Sequence, residues 1–177
     1  NHINDLKIFL QLSKHRFDII CISESRIQKS IDPSTDISLP GYTFEHTPTE
    51  SKAGGTLIYI SNNINYKLRN DLKIYKYKEL ESTFIELVFE KRKNILLGCI
   101  YKHPTMSSND FNNNYLEVLL NKLSNNNNKP IVLAGGFNFN ILKYGEHHDT
   151  TSFLDTLHSH YFLPLITSPT RISSHSA

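Results

Sequence analysis

The first periodic segment of the chain is helical. Ile3, Leu6, Phe9, Leu10 and Ser13 fall on one side of a helical wheel, which predicts an amphipathic helix over residues 3–14. Asp18-Ile-Ile-Cys-Ile-Ser-Glu24 then predicts a short apolar strand ending on an acid. Residues 30–40 are polar and turn-rich, and Gly41-Tyr-Thr-Phe44 alternates like a short strand. Ser51-Lys-Ala-Gly-Gly55 reads as a turn into a β-branched, apolar strand over residues 56–60. Residues 80–89 and 95–101 read as two strands of a hairpin, joined by the basic turn Glu90-Lys-Arg-Lys-Asn94.

Helical spacing returns at Ser107-Ser108, where a serine hydroxyl can accept an orphan N–H of the first turn. Phe111, Tyr115, Leu119 and Leu123 follow at four-residue steps and predict a buried stripe. The Asn125–Asn128 run is a polar linker into an apolar run led by Pro130, which predicts a fully buried strand emptying into Gly135-Gly136-Phe137-Asn138. Asp149 is placed to cap a last helix carrying Phe153, Leu154 and Leu157, and the remainder, with Pro164 and Pro169, reads as loop or edge strand. No internal repeat is visible. Strands alternate with helices, yet several neighbours are joined by turns too short for anything but antiparallel pairing. That mixture predicts an α/β (α+β) fold of two packed mixed sheets with helices outside.

Composition narrows the class without choosing a chemistry. The chain has 177 residues, 38% of them hydrophobic, enough for one domain with a real core over residues 1–177. Net charge is +2 and the pI about 8.5, a mild lean compatible with a polyanionic partner. Cys21 and Cys99 each sit inside an apolar run, with no disulfide framework or metal-ligand spacing, which predicts an intracellular protein. No run approaches the ~18 apolar residues of a membrane span, and none resembles a signal segment. His147-His148-Asp149 are neighbours that share no face, and they lack a His-Glu-x-x-His partner pattern for metal. Gly54-Gly55 lacks the Lys-Ser/Thr of a phosphate-binding loop and reads as a turn. No Gly-x-Ser-x-Gly elbow supports a serine hydrolase.

Three strand ends carry the candidate chemistry. Glu24 offers a carboxylate at the mouth of the first strand, Tyr101 a hydroxyl at the end of Ile100-Tyr-Lys-His-Pro104, and Asn138 an amide able both to donate and to accept. Alone, each is an ordinary strand-end or turn residue. In order, they resemble the motifs of the endonuclease/exonuclease/phosphatase superfamily. Asn112-Asn-Asn-Tyr-Leu-Glu117, Phe153-Leu-Asp-Thr-Leu157 and Ser168-Pro-Thr-Arg171 extend the resemblance to the endonuclease domain of LINE-like (non-LTR) retrotransposons, over essentially the whole chain.

That resemblance implies a four-layer DNase-like sandwich and a Mg²⁺- or Mn²⁺-dependent endonuclease that nicks DNA, acting in the nucleus with no small-molecule cofactor and no membrane partner. It implies that Glu24 is the metal ligand and that Tyr101 and Asn138 hold the phosphate. Lys102 contacts the strand backbone and Arg171 the nucleic acid. The family reads Gly-Asp-Phe-Asn where this chain has Gly135-Gly136-Phe137-Asn138, so Gly136 stands at the position of the aspartate that activates water. Family members also begin one strand earlier and continue into an aspartate-bearing strand and a Ser-Asp-His motif. The chain is accordingly expected to be truncated at both ends and inactive as it stands. Two other readings keep the fold: a non-catalytic fragment that at most binds nucleic acid, and a phosphatase acting on a phospholipid or inositol phosphate.

Overall fold

In the computed structural model, residues 2–13, 15–30, 37–125, 129–168 and 170 are described. They form two compact units, Asn1–Thr105 with Asn128–Phe137, and Met106–Asn127 with Asn138–Ala177.

The first unit is a two-sheet sandwich. Helix α1 (His2–Leu12) precedes β1 (Ile19–Ser23), β2 (Tyr42–Thr47) and β3 (Thr56–Ser61), which pair antiparallel in the order β1-β3-β2. The second sheet holds β4 (Asn65–Leu68), β5 (Tyr75–Lys76), β6 (Leu80–Val88), β7 (Ile95–Lys102) and β8 (Ile131–Gly136). Its order is β4-β6-β7-β8, with β5 also on β6. All its pairs are antiparallel except β7 with β8. One sheet is therefore mixed and the other antiparallel throughout its described strands, where two mixed sheets were expected.

Alternation along the strands builds the core. Ile58 and Ile60 from one sheet meet Ile85, Leu87, Leu97 and Cys99 from the other. The opposite face of β3 places Leu57 and Tyr59 among Ile3, Leu6 and Leu10 of α1, whereas Phe9, expected on the same stripe, is 56% exposed. Cys99 belongs to the cluster between the sheets and Cys21 packs against it, both as free thiols. Toward the β1 exit the interior turns polar. Thr47 Oγ1 donates to the Ser82 carbonyl at 2.8 Å, and Thr83 Oγ1 lies 3.0 Å from Thr47 and 2.8 Å from Thr56. Buried hydroxyls that find partners here avoid the cost of orphaned polar groups.

Glu86 ties the far side of the second sheet. Its carboxylate accepts from Arg69 at 2.9 Å, Asn94 at 2.7 Å and Lys129 at 2.7 Å. These donors come from the segment after β4, the basic turn and the residues leading into β8. They hold the carboxyl far below its usual range, at about 2, with Lys129 the largest contributor.

The second unit is helical. Helix α2 runs through Ser108–Asp110, a π-wound stretch Phe111–Leu116 and Glu117–Ser124. Ser107 Oγ caps it, accepting from the Asp110 N–H as its position predicts. The wider π turn changes which residues share a face: Phe111, Asn112, Leu116, Leu119, Leu120 and Leu123 are buried, and Tyr115 is only half-buried. Helix α3 (His148–Ser159) has His147 at its N-cap with no side-chain cap. Asp149 lies in its first turn, where a carboxylate complements the helix dipole without capping it. Phe139 stacks on Phe153 of α3 with ring centroids 4.3 Å apart, and Phe111 of α2 approaches both rings. Residues 161–168 are loop. Among the described residues no helix is long and apolar enough to cross a membrane.

One further expectation is corrected. Strand β8 is half-buried, with Val132 39% exposed, instead of fully buried. It ends the strand order of its sheet among the described strands, and none of its residues is fully buried.

Candidate active site

The hydrogen-bonded register of the second sheet aligns four residues. Tyr75 pairs with Glu81, Glu81 with Tyr101 and Tyr101 with Gly136. Residues paired in register point to one face, so this row lies at the polar end of the sandwich. A Cβ on Gly136 would stand 3.2 Å from the Tyr101 ring and 3.3 Å from Ser23 Oγ. Ser23 is the last residue of β1, immediately before Glu24. Glu24, Tyr101 and Gly136 thus belong to one mouth of the first unit, reached from three strands.

Backbone geometry shapes that mouth. Glu24 and Arg26 both have φ +57°, a region that L-residues occupy only where surroundings hold them. The holding is visible. The Ser25 N–H donates to the Gly55 carbonyl at 3.1 Å and the Arg26 N–H to the Gly54 carbonyl at 2.8 Å. A Cβ on Gly55 would lie 2.6 Å from Ser25 Oγ. The Gly54-Gly55 turn is therefore the wall against which the Glu24 loop is seated, a role its sequence alone did not disclose. At Gly135, φ is +126° and a Cβ would meet the Ile100 carbonyl oxygen at 1.9 Å, so only glycine lets β8 close on β7 there.

Behind Tyr101 lies a buried pair that motif reasoning missed. His103 Nε2 is 2.8 Å from Glu81 Oε2, with both residues buried. The His103 ring meets the Tyr101 ring edge-on at 4.7 Å between centroids. Burial pushes the Glu81 carboxyl above its ordinary range, with His103 drawing it back. The same environment raises Tyr101: burial first, then the negative charges of Glu24 and Glu81, partly opposed by Arg26. Tyr101 is thereby kept a neutral phenol, a hydrogen-bond donor.

Glu24 is paired. Its Oε1 accepts from Arg26 Nη2 at 2.9 Å, and its side chain is 37% exposed. A Mg²⁺ ion commonly takes one or two carboxylates, with water and substrate phosphate completing its shell. Glu24 meets that minimum only by sharing its charge with Arg26. Gly136 supplies no second acid, and the described residues contain no cluster of three potential ligands.

The remaining expected residues sit elsewhere. Lys102 is 2% exposed, and its ammonium donates to the His103 carbonyl at 3.4 Å, so it faces protein and not solvent. Asn138 opens the second unit at φ +55°. With Ser108, Phe139, Asn140 and residues 146–150 it lines an open cavity of about 500 Å³. Arg171 lies outside the described residues.

No protein-family model matches the sequence, and no curated protein matches it. Solved structures do. The chain is similar to the endonuclease domain of TRAS1, a telomere-specific non-LTR retrotransposon, with a TM-score of 0.62 at 14% identity, over 89% of this chain and 64% of that one. It is also similar to ANGEL2, a 2′,3′-cyclic phosphatase, with a TM-score of 0.53 at 14% identity, over 77% of this chain and 42% of that one. The chain thus spans less than two-thirds of either protein's length. At these identities the likeness establishes the fold alone, an α/β sandwich shared with these two proteins.

Proposed function

We propose that this chain is a DNA endonuclease-type domain whose hydrolytic step is disabled at Gly136. The observation that carries the reading is the row across the second sheet. It sets a neutral phenol, Tyr101, beside a glycine at the strand end where the resembled motif has an acid. The fold shared with a retrotransposon endonuclease domain supports a phosphodiester in nucleic acid as the substrate.

In this reading the Tyr101 hydroxyl donates to a non-bridging phosphate oxygen, and Glu81 and His103 keep its ring in place. Glu24 would hold a divalent ion in the presence of substrate phosphate, an ion that supplies Lewis-acid polarisation when bound. What the chain lacks is a group at position 136 to orient and deprotonate water. Loss of such help costs roughly 10²–10⁴ in rate.

Position 136 is tight for a Cβ but not closed to one. At 3.2 and 3.3 Å, a Cβ at position 136 needs the Tyr101 ring and Ser23 hydroxyl to give by only a few tenths of an ångström. The test is Mg²⁺-dependent nicking of supercoiled plasmid against an EDTA control. In the full-length protein, Gly136→Asp should nick at least ~10²-fold faster than the parent, and adding Tyr101→Phe should remove most of the gain. Nicking by the parent at the rate of the aspartate variant would refute the reading, as would a full-length Gly136→Asp variant that does not nick.

A further inference from the structure

The segment Lys73-Ile-Tyr-Lys-Tyr-Lys78 alternates lysine with tyrosine, and the structure turns that alternation outward. Lys73, Tyr75 and Tyr77 are exposed, at 37% for Tyr75 and 49% for Tyr77, with Ile74 and Lys76 half-buried between them. Strand β5 enters a tight turn closed by the Glu79 N–H on the Lys76 carbonyl at 3.0 Å, which puts Tyr77 and Lys78 at the tip. Lys78 there has φ +55°. Glycine or asparagine is the usual occupant of such a position, so local turn chemistry does not explain a lysine. Each exposed ring already carries an ammonium: Lys29 Nζ lies 5.2 Å from the Tyr75 centroid and Lys78 Nζ 5.1 Å from that of Tyr77. Lys29, Lys73, Lys76 and Lys78 outnumber the two acids among them, Glu50, which pairs with Lys29, and Glu79, which pairs with Lys76.

The position of this strip matters as much as its composition. Tyr75 is the outer member of the row Tyr75-Glu81-Tyr101-Gly136. Three strand spacings separate Tyr75 from Gly136, roughly 14 Å. A chain of phosphates passing Tyr101 along that row would arrive over the tyrosines and lysines of the β5 turn.

We propose that Lys73–Lys78, with Lys29, forms a docking strip for an unpaired nucleic-acid strand, bases stacking on Tyr75 and Tyr77 and phosphates meeting the lysines. The proposal rests on the nucleic-acid reading above and adds where the strand lies and that it is single. Ring faces stack on bases only when those bases are not closed in a duplex, and every base has such a face, so the strip recognises the strand without reading its sequence. The lysines add an attraction that weakens as salt rises.

The test is fluorescence anisotropy in EDTA with a labelled mixed-sequence single strand of about 12 nucleotides and its duplex. Binding in EDTA is independent of hydrolysis, so failure here and failure of the plasmid test are separate results. The chain should bind the single strand more tightly than the duplex at low salt. Tyr75→Ala/Tyr77→Ala should weaken single-strand binding by about fivefold or more. Lys73→Gln/Lys76→Gln/Lys78→Gln should lower the slope of log K against log salt by up to ~2. Lys91→Gln/Arg92→Gln/Lys93→Gln, in the exposed turn between β6 and β7, serves as the charge-matched control and should change little. Equal losses in the control and strip variants would overturn the proposal, as would tighter binding of duplex, unaltered binding by the tyrosine variant, or no binding by the parent. Unchanged melting curves show that each variant is folded.

Discussion

Glu86→Gln replaces a buried carboxylate by its uncharged isostere and leaves three donors, from Arg69, Asn94 and Lys129, facing an amide. The folded carboxyl titrates at about 2 against an ordinary 4.5. A depressed folded value means the stabilisation is fully present above the unfolded pKa and is lost as pH falls through the folded one, here between about 4.5 and about 2. Some 2.5 pH units at 1.36 kcal/mol each give an upper figure of ~3 kcal/mol. Arg69 and Lys129 are 17% and 31% exposed, so solvent screening reduces this to about 2 kcal/mol. Urea denaturation at pH 7 should therefore show Glu86→Gln less stable by about 2 kcal/mol, with the slope m unchanged. The melting temperature should fall by roughly 4–8 °C. At pH 2.5 the gap between parent and variant should shrink to less than half. A gap that is the same at both pH values, or absent at pH 7, would refute the claim that this carboxylate is held ionised by its three donors. The consequence reaches the site, because Lys129 leads into β8 and β8 ends at Gly136.

Gly135→Ala should destabilise the fold by about 3 kcal/mol or more, since φ +126° and the Ile100 carbonyl both exclude a Cβ; a urea midpoint matching the parent would refute this. His103→Ala should cost about 3 kcal/mol by leaving the Glu81 carboxyl buried without its partner. The double variant Glu81→Gln/His103→Ala should lose less than the sum of the two single losses, as measured by a double-mutant cycle in urea.

Much of the framework was legible in local pattern. Runs of β-branched and apolar residues marked β1, β3, β6 and β7, because these strands line the sandwich interior. An apolar run by itself could not tell full burial from half-burial, which is why β8 read as fully buried although its residues are half-buried or exposed. The π turn in α2 was equally hidden. Four-residue spacing predicts a regular helix, and a wider turn moves Asn112 and Leu116 inward without altering composition. Strands β4 and β5 are short and polar, too weakly periodic to stand out from turns.

At the site, the sequence by itself determined the residues at the strand ends and the glycine at position 136, since motif order is a one-dimensional property. Which residues stand beside them was decided only by register. Glu81 and His103 look like an ordinary strand acid and a loop histidine until β6 and β7 pair. The Gly54-Gly55 turn looks like punctuation until the Glu24 loop hydrogen-bonds to it. Tyr75 joins Gly136 in one row only through three successive strand pairings, across 61 positions of chain. Pairing geometry is a relation between distant backbones, set by burying apolar faces and satisfying N–H and C=O groups together, and no single segment of sequence contains it.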